Sequence, residues 1–250
     1  MSINTMKKIK LLQKDIFIAI FIAIIALAGC DLTGPEPAEP LEKLISPENE
    51  LIPLAVGNYW VYEQWYYGDP TWLDTVRNEI LFTHDIIVEN TKVQTYGTYR
   101  FRYDERPRED ALVPLAANGP DGYYILGSRT PTDSLYNLNE GLLYKYPASI
   151  GDTWEFTQVI YNQQDEEMRL GNTRTIQLID TTKTIETPAG DFENCYVYKH
   201  WDFRIASTLV HYLYIKPTVG LVGVDTYVVD DKDDHYGKQR LLEYEINGKP

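Results

Sequence analysis

The sequence predicts an all-β body: a mainly antiparallel curved sheet or partly open barrel, built as two pseudo-repeated halves. Three observations carry that expectation. Short runs of aromatic and β-branched residues alternating with polar ones follow one another after residue 50. Turn-forming residues fall between those runs, and a Gly-Asn or Gly-Asp motif with a tryptophan two residues on occurs twice.

In chain order, Trp60 to Tyr67 is a dense aromatic run suited to a pleated surface. Tyr99, Phe101 and Tyr103 alternate with Arg100 and Arg102, as in a half-buried strand. Asn118-Gly119-Pro120-Asp121-Gly122 breaks the chain. Thr173 to Ile179, Asn194 to Phe203, Leu209 to Ile215, Leu221 to Val229 and Arg240 to Ile246 have strand length and composition. Thr187-Pro188-Ala189-Gly190 sets a turn between two of them. Asp230 to Asp234 separates two more and caps a hairpin. Sequential strands joined by short turns make an antiparallel meander that closes or curves to hide its apolar face.

The repeated motif aligns Pro53 to Tyr62 with Pro147 to Phe156. Shared positions are the proline, an aliphatic before glycine, Asn58 or Asp152, the tryptophans Trp60 and Trp154, and the aromatics Tyr62 and Phe156. Gly97-Thr98-Tyr99 and Gly190-Asp191-Phe192 follow at nearly the same offset. The spacing implies duplication of a β-unit of about 90 residues, with half-repeats over 51–145 and 146–250. Gly-Asn and Gly-Asp are tight-turn pairs, and aromatics two apart in a strand share one sheet face. Trp60, Tyr62, Trp154 and Phe156 are therefore expected as two anchors of one core, with a paired ligand-binding platform as the alternative.

The first 29 residues have the form of a secretory signal. Lys7, Lys8, Lys10 and Lys14 precede an uninterrupted apolar run, Ile16 to Leu27, shorter than the ~20 residues of a spanning helix. The run ends in Leu27-Ala28-Gly29-Cys30, which resembles the lipobox of bacterial lipoproteins. That resemblance implies cleavage before Cys30, acylation of Cys30, and a membrane as the partner of that lipid. Residues 30–50 hold Pro35, Pro37, Pro40 and Pro47 among glutamates, the composition of an extended tether. Which membrane is left open, with the outer one preferred.

Together with the motifs above, the chain resembles a loose group of uncharacterised bacterial lipoproteins. The residues that carry this are the lipobox, Pro53 to Tyr62, Tyr146 to Trp154, Pro188 to Cys195 and Gly220 to Val222. The resemblance implies an exported β-protein and transfers no catalytic residue.

The chain carries a formal charge of −14. Without residues 1–29, four lysines and one aspartate are gone, leaving 19 basic and 36 acidic residues, or −17. That balance opposes nucleic acid and anionic lipid surfaces as partners. The stretch 51–250 has the length of one domain of about 200 residues.

Cysteine is scarce. With Cys30 acylated, Cys195 lacks a partner within the chain and is expected as a buried, inert thiol.

Motifs for chemistry are sparse. His84, His200, His211 and His235 form no zinc-binding spacing, although His200 and His211 are placed to meet on neighbouring strands. Asp230 to Asp234 lacks the glycine and closing glutamate of a calcium loop. There is no nucleophile elbow and no phosphate-cradling glycine loop, and no metal or cofactor is expected. Two classes of function follow. The first is a non-catalytic envelope protein, a binding or assembly module for a glycan, a lipid or another protein. The second is a surface hydrolase acting on glycan or peptide, for which two carboxylates in a cleft are needed. An apolar concave sheet face favours lipid, and exposed aromatics beside carboxylates favour glycan.

Overall fold

The described strands are all hydrogen-bonded into a single meander whose two edge strands have no ladder between them. The structure, a computed structural model, describes residues 50–66, 73–88, 91–102, 113–129, 135–162, 167–204, 207–229 and 231–247. The expected signal segment, Cys30 and the tether up to residue 49 lie outside the described residues. The first six strands are β1 (Tyr59–Tyr66), β2 (Asp74–Val88), β3 (Thr91–Arg102), β4 (Val113–Gly119), β5 (Gly122–Arg129) and β6 (Leu135–Lys145). The second six are β7 (Thr153–Asn162), β8 (Glu167–Thr187), β9 (Gly190–Arg204), β10 (Ser207–Lys216), β11 (Gly220–Val228) and β12 (Asp231–Glu245).

All pairings are antiparallel, in the order β6-β5-β4-β3-β2-β1-β12-β11-β10-β9-β8-β7. The first and last strands, β1 and β12, pair with each other, Tyr62 with Leu241 and Gln64 with Gln239. The nearly closed, twelve-stranded barrel therefore has its seam in the middle of the chain, between β6 and β7.

The two copies of the motif adopt the same turn. Gly57 and Gly151 have φ of +92° and +97°, a region that favours glycine. Gly57 N–H donates to Ile80 O and Ile80 N–H to Asn58 O; Gly151 N–H donates to Leu178 O and Leu178 N–H to Asp152 O. Each turn thereby fixes the register of the strand it opens against the second strand of its half.

The later alignment does not hold: Gly97 lies inside β3, whereas Gly190 opens β9 at a hairpin turn. Spacing alone aligned them, and the hairpins differ in length.

Past Ile80 and Leu178 those second strands leave the barrel wall. Register shifts occur between Ile80 and Phe82, and repeatedly between Leu178 and Ile185, and such bulges bend a strand. The β2–β3 hairpin folds over the outer face of β4 and β5, burying Ile86 and Val93 against Leu115, Ala117 and Leu126. The β8–β9 hairpin reaches β12, where Ala189 N–H donates to Leu241 O and Phe192 meets Tyr244 at 5.9 Å.

Residues 50–58 cross the barrel end near the β1 start. Thr218 N–H donates to Glu50 O, Asn118 Nδ2 to Ile52 O and Asn58 Nδ2 to Pro53 O. β11 and β4 are far apart around the wall, so this strap spans the opening and points Ile52 and Leu54 inward. Residues 67–72, 89–90, 103–112, 130–134, 163–166, 205–206 and 230 lie outside the described residues.

Cys195 is fully buried, and its Sγ donates to Phe192 O at 3.2 Å. Burial raises its thiol to about 11. Thiolate, not thiol, is the nucleophile. A thiol reagent at pH 8 is expected to label Cys195 only at the rate of unfolding. Labelling within the mixing time, in protein still folded by circular dichroism, contradicts this placement.

Candidate functional site

β1 shows how alternation builds the interior. Trp60, Tyr62 and Gln64 are buried and share the inner face, while Tyr59 and Glu63 face out. Trp60 Nε1 donates to Val219 O at 2.6 Å and Tyr62 Oη to Leu221 O at 2.9 Å, both reaching past β12 to the start of β11. Their rings rise into the barrel over the strap.

Above the strap lies a cavity of about 440 Å³. Its floor is Ile52 and Leu54; its walls include Trp60, Tyr62, Ile80, Ile125 and Leu143, with Tyr123 and Tyr144 opposite. The Tyr123 and Tyr144 rings lie 6.0 Å apart and near parallel, and burial pushes both phenols well above their ordinary value. Among the described residues, no carboxylate lines this cavity.

The mouth is where β3 and β4 part. Their ladder consists of Tyr96 with Ala116 and Gly97 with Leu115, and beyond it Thr98, Tyr99, Arg100 and Pro114 line the cavity. Arg100 donates to the amide oxygens of Gln64 and Gln239. Asn78 Oδ1, on the cavity wall, and Gln239 Nε2 are buried without a hydrogen-bond partner. The interior is thus apolar toward the strap and polar toward the mouth.

The polar zone continues to β9 and β10. His200 and His211 pair directly, as anticipated, and His211 Nδ1 lies 2.9 Å from Thr226 Oγ1. His200 is 4% exposed, its Nε2 has no hydrogen-bond partner, and its ring lies 5.5 Å from Tyr144. Burial lowers its imidazole to about 3, helped by His211 and Arg174.

The second motif copy sits elsewhere. Trp154 Nε1 donates to Leu143 O at 3.3 Å, across the seam. The edge of the Phe156 ring meets Gly141, where a Cβ would lie 2.5 Å from it. Tyr198 Oη donates to Lys145 O at 2.8 Å, and Lys145 pairs with Asp152 at 2.9 Å. Side chains, not a ladder, therefore hold β6 to β7. Of the four expected aromatics, Trp60 and Tyr62 line the cavity, and Trp154 and Phe156 close the wall. The sequence reading missed Asn78, Arg100, Tyr123 and Tyr144.

Among the described residues, no group of three or more His, Cys, Asp or Glu is placed to hold a metal ion. The Asp231 to Asp234 side chains and Asp230 lie outside the description.

No family model matches the chain, and no curated protein matches it. Among solved structures it is similar to a Bacteroides fragilis protein reported as exported and of YmcC-like fold, at 15% identity. That match covers 79% of this chain and 99% of the other, with a TM-score of 0.50. It is also matched, at 15% identity, the same coverages and a TM-score of 0.42, to a lipoprotein of Parabacteroides distasonis. At 15% identity the likeness to the Bacteroides fragilis protein is one of fold alone.

Proposed function

We propose that this chain is a lipid-anchored cell-envelope protein of non-catalytic type, whose barrel interior holds the apolar chain of an amphiphile. The observation that carries this is the 440 Å³ cavity: aromatic and aliphatic below, with Arg100 and the unpartnered Asn78 Oδ1 toward its mouth. An acyl chain gains about 0.8 kcal/mol for each methylene it buries. A polar headgroup at the mouth meets both a cation and a buried acceptor. The volume lies within the usual range for small-molecule sites.

The address rests on the signal-like start and the lipobox at Cys30, and the protein it resembles in fold is reported as exported. The outer face supports a barrel outside the bilayer. Tyr59 there donates to Glu243, Arg77 pairs with Glu79, and Glu63 and Glu245 are exposed, whereas a lipid-facing barrel needs an apolar band.

Titration with a dansyl-labelled fatty acid tests the interior site. Saturable binding is expected, weakened tenfold or more by Ile125→Trp, which fills the cavity. Thr98→Phe, nearer the mouth, serves as a second filling variant. Unchanged affinity in both, with folding intact, sinks the proposal.

A further inference from the structure

A second candidate site lies on the outside of the wall, across β9 to β12 and β1. Register brings Trp201, Val210, Tyr227 and His235 into one row, and Lys199, Tyr212, Asp225, Lys238 and Trp65 into the next. These positions face away from Tyr198 and His200 and so point outward. A recess of about 310 Å³ opens among Lys199, Trp201, Tyr212 and Tyr227. Its rings are half-buried and interlocked: Tyr212 meets Tyr227 edge-on at 5.7 Å, and Tyr227 lies 4.2 Å from His235. Lys199 Nζ stands 4.3 Å from the Trp201 ring centre.

Charged groups are set into this aromatic face rather than around it. Asp225, 6% exposed, is held by Arg240 at 2.7 Å and by Tyr214 Oη at 2.8 Å. An acyl chain laid here would enclose the Lys199 charge in hydrocarbon. A polyanion would be opposed by a chain of charge −14. A peptide strand would find no open edge, because β9 to β12 are each paired on both sides. A neutral pyranose satisfies all of these demands. Its C–H face stacks on the indole and phenol rings, and its hydroxyls accept from Lys199 and exchange hydrogen bonds with the tyrosine hydroxyls that line the recess.

We propose that this outer face, centred on Trp201, Tyr212 and Lys199, binds a neutral oligosaccharide, independently of the barrel interior.

The test uses the full chain, purified from membranes, in calorimetric titrations with hexamers of glucose (β-1,4 and α-1,4), mannose and N-acetylglucosamine, and with polygalacturonate. At least one neutral hexamer is expected to bind. Trp201→Ala and Tyr212→Ala are each expected to weaken that binding tenfold or more, and Lys199→Gln about threefold, with melting temperatures near wild type. Ile125→Trp, which fills the interior, leaves it unchanged. The proposal is overturned if no neutral hexamer binds at millimolar concentration, if only polygalacturonate binds, or if Trp201→Ala binds as wild type. Loss of binding in Ile125→Trp reassigns the sugar to the barrel and overturns it equally.

Discussion

Trp60→Ala is expected to cost about 4 kcal/mol of unfolding free energy, the range seen when a large buried aromatic is truncated. The indole is 4% exposed, donates to Val219 O at 2.6 Å, and lies against Gly220, whose Cβ position is 3.2 Å from Nε1. Truncation removes the ring, strands a carbonyl, and joins a new void to the existing cavity, so little collapse can compensate. Trp60→Phe keeps most of the burial and loses the donor, for about 1–2 kcal/mol. The half-buried Trp154 has a weaker bond, 3.3 Å to Leu143 O, and Trp154→Ala is expected to cost less than its counterpart. Urea unfolding of the three variants checks the ranking. Equal losses for Trp60→Ala and Trp154→Ala would contradict the different settings assigned to them.

Acid is expected to destabilise the barrel through His200. Its folded-state imidazole lies at about 3, and the unfolded value is near 6.5. Below pH 6.5 the unfolded chain takes up a proton that the folded chain refuses, so stability falls as pH falls toward 3. At most this amounts to about 1.4 kcal/mol per pH unit, on the order of 3 kcal/mol between pH 6.5 and 4. His200→Gln removes the proton and is expected to flatten that limb. Asp152, held low by Lys145 and Ser149 N–H, and Asp180, held low by Thr182, add their own loss only nearer their ordinary carboxylate range. Parallel stability curves for wild type and His200→Gln down to pH 4.5 would rule out a buried neutral His200.

The strands with one wet face were legible in the sequence. β3 was read from alternation, β1 from its aromatic run, β8 to β12 from strand length and composition, and the turns at Asn118–Gly122 and Thr187–Gly190 from their own chemistry. β4 was not, and the reason is physical. Its inner face joins the barrel core while its outer face is covered by the β2–β3 hairpin, so Val113 to Ala117 are buried apart from Pro114 and no alternation remains.

The repeated Gly-Asn/Asp-x-Trp motif marked two equivalent turns, because a positive φ and a register lock are local demands. What the two tryptophans touch is not local. Trp60 faces a continuous wall and Trp154 a seam, a difference set by closure through β1 and β12. The cavity was illegible for the same reason. Asn78, Arg100, Tyr123 and Tyr144 meet only once the register of the five strands β2 to β6 has been fixed.

The most direct test of the central claim, an apolar chain held inside the barrel, is a native mass spectrum of residues 31–250. The protein should be purified without detergent from cells that export it. The account predicts a reproducible extra mass, lost on denaturation, identified as an acyl-containing lipid, and absent from Ile125→Trp. A bare monomer mass for the wild type, unchanged after incubation with envelope lipid extract, would contradict it.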